Sequence, residues 1–203
     1  MTEHETSAPS TAESNIDPLV TFEETNKAFE AYATAVGKVA YAWNTLHERL
    51  GILFVAVTGC ERKVALARWY SLKSDHRQRE MLRTAIEATN PERSKTWPEA
   101  PDDLIWLLDR ARELADGRNN AVHAPVSFYI SGSRSEMGAA FFDGNPLAKE
   151  LEGKDLLVEF AWCEAFAMTL SWFTEHLANA VAFPDRFPWP QRRNILPREY
   201  FSR

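Results

Sequence analysis

The chain has 203 residues, of which 45% are apolar and 12% aromatic, with a formal net charge of −6. That length can bury a core without disulfide or metal staples, and the composition excludes a wholly disordered chain. The negative balance excludes a broad, nonspecific nucleic-acid surface but leaves room for a small basic focus.

Residues 1–20 hold Glu3, Glu5, Glu13 and Asp17 and no Lys or Arg, so this stretch carries −4 of the net −6. Rich in Ser, Thr, Ala and Glu, it has little to bury and reads as a disordered acidic tail. Thr21-Phe-Glu-Glu24 has the spacing of a helix capping box. From there Phe29, Tyr32, Val36, Val39, Trp43, Leu46, Leu50, Leu53 and Val57 alternate steps of three and four. This predicts a helix of roughly 35 residues, about 50 Å long, stopped by Gly59. So long a helix either spans a bundle or lends part of its stripe to a second chain.

Val64 to Leu72 predict a shorter helix. Ser74 or Asp75 can cap the next, whose inward residues are Met81, Leu82, Ala85 and Ile86. Arg77, Arg79 and Arg83 are assigned to its exposed side, as a solvated face paired with Glu80 and Glu87 or as a strip for RNA phosphates. Pro91, Pro98 and Pro101 mark a loop over 90–101, and Asp102 and Asp103 open a further helix as favourable first-turn acids. Val126 to Ile130 and Met137 to Phe142 predict a hairpin flanking Ser131 to Glu136. The last helix runs from near Asp155 to about Ala182, with Leu156, Phe160, Cys163, Ala167, Leu170, Leu177 and Val181 as its stripe. Trp162, Phe166 and Phe173 widen that stripe, so the helix is central or lies at an interface. After Phe183, four prolines forbid a helix and five arginines face two acids. This tail either docks, through an aromatic such as Trp189, or contacts RNA. The architecture expected is an all-α antiparallel bundle with a long N-terminal helix and one small β-hairpin after the fourth helix. The organisation is a tail over 1–20, a bundle over 21–182 and a Pro/Arg-rich tail over 183–203.

Leu114-Ala-Asp-Gly-Arg-Asn-Asn-Ala-Val-His-Ala-Pro125 ends the fourth helix. Its apolar stripe runs through Leu104, Leu107/Leu108, Ala111 and Leu114/Ala115, and the next inward position is Arg118. A guanidinium aimed at a core is costly unless it is paired or meets water or a ligand. Asn119 and His123, four residues apart, share a helix face, and Pro125 closes the element. Arginine suits phosphate and histidine trades protons near neutrality; both can also satisfy the last carbonyls of a helix.

Cys60 and Cys163 each sit in apolar runs and read as buried free thiols, with no zinc pattern around them. No secretory signal or uncharged apolar span is recognised, so a cytoplasmic protein without a membrane partner is expected. No P-loop, dinucleotide turn, nucleophile triad or carboxylate dyad stands at a convincing spacing, and no metal or cofactor is implied. His4 falls in the acidic tail, His76 at a helix start, and His176 beside Glu175 reads as a satisfied imidazole.

Arg118-Asn-Asn-Ala-Val-His123 resembles the Arg-x4-6-His motif of the HEPN superfamily, the higher eukaryotes and prokaryotes nucleotide-binding domain. Trp43-Asn-Thr-Leu-His-Glu-Arg-Leu50 is similar to the Trp-x2-Leu-x3-Leu signature of its bacterial members. Trp69-Tyr-Ser-Leu-Lys-Ser74 with Arg77 to Ala85 resembles their middle helices, and the likeness covers roughly residues 25 to 180. Many members are metal-independent RNases of toxin–antitoxin and phage-defence systems, and others have lost activity. The resemblance implies a homodimer acting on RNA, with Arg118, Asn119 and His123 as catalytic residues, and an antitoxin protein as a possible partner. Its alternative is a non-catalytic dimeric interaction or nucleotide-binding module. Related sequences favour an acid where His47 stands, so His47 or Glu48 is the expected companion of Arg118.

Overall fold

The computed structural model describes residues 18–88, 100–131, 134–140 and 149–201. Among these residues 74% are helical, in five helices accompanied by one small antiparallel hairpin, an all-α bundle as the periodicity predicts. The acidic stretch 1–17, most of the Pro-rich loop and residues 141–142 of the expected second strand lie outside the described residues.

Helix α1 runs Pro18–Thr58, 41 residues. It starts ahead of Thr21, which therefore lies inside the helix and is not its cap. Pro18 explains the earlier start, because its fixed φ and missing N–H suit the first helical position. Val39, Trp43, Leu46, Leu50, Leu53 and Val57 are buried, whereas Phe29 is 52% exposed. The fully buried part of the seam begins at Val39; Tyr32 and Val36 pack half-buried against the core, and Phe29 lies outside it. Gly59 ends the helix with φ 63° and its N–H on the Val55 carbonyl at 3.0 Å, a left-handed stop open to glycine. Cys60 follows that stop and is exposed, contrary to the expectation of two buried thiols; Cys163 is buried. Burial pushes the Cys163 thiol up to about 12.

Helix α2, Arg62–Ser71, is capped by Glu61, whose carboxylate accepts from the backbone N–H of Lys63 and Val64. It buries Trp69 directly on Gly51 of α1, where a Cβ would come within 3.0 Å of the indole Nε1. Helix α3, Asp75–Glu87, follows Ser74 and turns Leu82 and Ile86 inward. Helix α4, Ala100–His123, buries Leu104, Leu107, Leu108, Ala111, Leu114, Ala115 and Ala121. Its last turn closes with the Ala124 N–H on Asn120, just before Pro125.

Strands β1, Val126–Ser131, and β2, Arg134–Ala139, pair antiparallel from Val126↔Ala139 to Ser131↔Arg134. The second strand begins three residues earlier than expected. Ser131, Ile130 and Tyr129 pair with Arg134, Ser135 and Glu136, so the ladder extends through polar residues that carry no strand signal in the sequence. The hairpin packs against the N-terminal half of α1, where Thr25 reaches Ser135 at 3.5 Å.

Helix α5, Leu156–Ala182, is capped by Asp155, which accepts from Leu157 and Val158. Its contact with α1 is the largest in the bundle. It is long and apolar enough to cross a membrane, yet 56% of that apolar span is buried inside the fold. The C-terminal tail docks along α4 and α5. Trp189 Nε1 donates to buried Asp103 at 2.6 Å and Arg192 pairs with the same carboxylate. Arg192, Arg193 and Arg198 lie over Trp106, Trp172 and Trp162. Arg198 also pairs with buried Glu159 at 3.0 Å, and the Trp162 N–H donates to the Leu196 carbonyl. A short 3-10 turn, Arg198–Phe201, follows.

Candidate functional site

The seam of α1, the first turns of α3 and the last turns of α4 converge on Trp43. The indole N–H, buried with the ring, needs an acceptor and finds Asp75 Oδ2 at 2.8 Å. Arg118 continues the inward stripe of α4, and its guanidinium lies 4.8 Å from the Trp43 ring centroid. Its Nη2 is 3.6 Å from the same Asp75 oxygen, too long for a direct hydrogen bond, and its Nε has no hydrogen-bond partner. Arg118 is therefore held by stacking and charge with part of its donor fork unused.

His47, one turn after Trp43, completes the inner layer. Gln78 gives its amide N–H groups to the carbonyls of Trp69 and Leu72, which turns its oxygen toward His47 Nδ1 at 3.3 Å. The imidazole then carries its proton on Nδ1, and Nε2 accepts from Arg79 Nη1 at 3.3 Å. Burial pushes the His47 pKa down to about 4; Asp75 and Gln78 oppose this and the two guanidiniums add to it. Arg79 is itself lowered by burial, against the pull of Asp75, Asp116 and Glu80. A neutral imidazole thus bonds Arg79, while Asp75 lies closest to Arg118.

A cavity of about 430 Å³ opens over this layer, lined by Trp43, Asn44, His47, Glu48, Trp69, Tyr70, Asp75, Gln78 and Arg118.

No family model, no curated protein and no solved structure matches the chain.

Arg118, His47 and Glu48 come together around this cavity; Asn119 and His123 are exposed on α4 and do not line it. Five residues of helix separate Arg118 from His123 by about 7.5 Å along the axis and about 140° around it. The carboxylate beside Arg118 is Asp75, not Glu48, because the first turn of α3 meets the end of α4. The three arginines of α3 do not form one strip. Arg77 is exposed, Arg79 is buried against His47, and Arg83 pairs with Asp109 on α4 at 2.6 Å. Positions 77 and 79 point about 200° apart on a helix, so they cannot share a face. The sequence offers Asp75 only as a helix cap and Trp43 only as a stripe and signature residue, neither as part of the site. The signal available was a core tryptophan whose N–H requires an acceptor. His176 is satisfied by the Trp172 carbonyl at 2.8 Å. Among the described residues, no three His, Cys, Asp or Glu side chains gather as a metal-ligand set.

Proposed function

We propose that the protein is a metal-independent endoribonuclease whose working unit is a homodimer. The observation that carries this reading is the pose of Arg118: stacked on Trp43, its Nη2 facing Asp75 beyond hydrogen-bond range, with a cavity in front of it. An arginine so held binds phosphate and stabilises the charge that develops on it in the transition state.

In the reaction, the ribose 2′-oxygen attacks the adjacent phosphorus and gives up its proton to a base. The phosphorus–O5′ bond breaks, and an acid protonates the leaving oxygen. The products are a 2′,3′-cyclic phosphate and a 5′-hydroxyl. His123, an imidazole exposed on α4, serves as the proton carrier, the role this side chain takes most often in general acid–base catalysis. Asn119, on the same exposed face, orients phosphate or imidazole. Because Arg118 and His123 diverge on one helix, Arg118 works with His123 of the second copy, and the exposure of His123 leaves it accessible to that copy. The protein acts in the cytoplasm on RNA, and in a toxin–antitoxin pair an antitoxin protein would be its regulator.

A second reading, a non-catalytic nucleotide-binding or dimeric interaction module, draws on the same divergence: in one chain the cavity contains Arg118 without His123. An RNA-cleavage assay with chelator present separates the two. The RNase reading expects cleavage without added metal, lost on the order of 10²-fold or more in both Arg118→Ala and His123→Ala. Absence of cleavage, or cleavage only with divalent metal, overturns it.

A further inference from the structure

Resting on the proposal that Arg118 holds a phosphate of RNA, we infer that the cavity beside it is a nucleobase pocket that selects guanine through Tyr70 and Glu48. The cavity is larger than the phosphate site requires; at about 430 Å³ it falls within the range of small-molecule pockets, roughly 300–1,000 Å³. Its wall is aromatic and amide-bearing as well as charged, which is the chemistry of a base more than of a bare anion.

Each lining group then has a task. Tyr70 is 60% exposed although its neighbour Trp69 is wholly buried, so its ring is presented to solvent at the mouth of the cavity. An unstacked base covers such a ring, as single-stranded RNA does on aromatic platforms. Glu48 is exposed at the same mouth and makes no ion pair with a described residue, because Asp75 already serves Arg118. A carboxylate only accepts hydrogen bonds, and among the four bases guanine offers two adjacent donors, its ring N–H and its amino group. Asn44, exposed one turn before Glu48 on α1, adds an amide that both donates and accepts. Gln78 cannot take part, since its amide is committed to Trp69, Leu72 and His47. The floor is therefore rigid and the selective groups stand at the rim.

The test measures binding of the four nucleoside 3′-monophosphates and of inorganic phosphate to the full chain, by calorimetry with chelator present. Guanosine monophosphate is expected to bind on the order of tenfold tighter than the other three, the scale of one stacked and hydrogen-bonded base. Tyr70→Ala should weaken all four nucleotides and leave inorganic phosphate as it was. Glu48→Gln should remove the guanine preference alone, and Tyr41→Ala, exposed on α1 outside the cavity, should change nothing. Equal affinity for all nucleotides and phosphate, or insensitivity to Tyr70→Ala and Glu48→Gln, overturns the pocket. Cleavage of RNA is read separately. A chain that prefers guanosine monophosphate but never cleaves RNA keeps the pocket and loses the RNase reading. One that cleaves with no base preference loses the pocket and keeps the RNase.

Discussion

The Arg118 guanidinium lies over the Trp43 ring at 4.8 Å, and the N–H of that same indole is bonded to Asp75, the carboxylate facing Arg118. One side chain thus positions both the cation and its counter-charge. Trp43→Phe keeps an aromatic face but removes the donor, so Asp75 is released toward Arg118 and competes with a bound phosphate. Cleavage should fall about tenfold while stability drops by only about 1–2 kcal/mol, the scale of one lost hydrogen bond and some packing. Single-turnover rates and urea unfolding of the variant check both parts.

The docked tail makes a second expectation. Glu159 is buried on α5 and its carboxylate depends on Arg198 at 3.0 Å. Arg198→Ala should destabilise the fold by about 3 kcal/mol, because it strands a buried charge. Adding Glu159→Gln should recover part of the loss by removing that charge. Chemical denaturation of the single and double variants decides; equal stability of wild type and Arg198→Ala would mean that the tail contributes no net stability there.

Much of this fold is legible in the sequence and the site only half. The α1 stripe and the start of the last helix near Asp155 are local patterns, and local patterns fix local elements. The early start of the second strand is not legible, because Arg134, Ser135 and Glu136 are polar and carry no β-branched or aromatic signal. Arg118 is conspicuous because it interrupts an apolar stripe, but its companion is not: Asp75 opens a helix far earlier in the chain and only packing brings it to Trp43. Arg79 was assigned to solvent because arginine usually is, whereas the face of α3 that carries it is pressed against His47 of α1. For the tail the sequence favours docking over RNA contact but does not say onto what, since Arg–Trp stacking is tertiary and has no spacing signature.

His47 gives a pH dependence with a definite sign. Its folded pKa, about 4, lies below the unfolded value near 6.5, so the fold favours the neutral ring. The unfolded chain binds the extra proton between those values. The contribution of His47 is therefore intact above about pH 6.5, declines as the pH falls toward 4, and levels off below it. The shift corresponds to on the order of 3 kcal/mol. His47→Gln should flatten this part of the stability curve, and the difference between the wild-type and variant melting curves from pH 7 to 4 isolates the imidazole from the carboxylates that titrate in the same range. Parallel curves would mean that His47 titrates normally in the fold.

The most direct measurement mixes two inactive variants. Arg118→Ala and His123→Ala subunits are combined one to one under exchange conditions and assayed for RNA cleavage with chelator present. If each site joins Arg118 of one copy to His123 of the other, every mixed dimer contains one intact site. Activity should then return to about a quarter of wild type, since half the dimers are mixed and each has one of two sites. A mixture that exchanges subunits and remains as inactive as either variant alone would contradict the shared site.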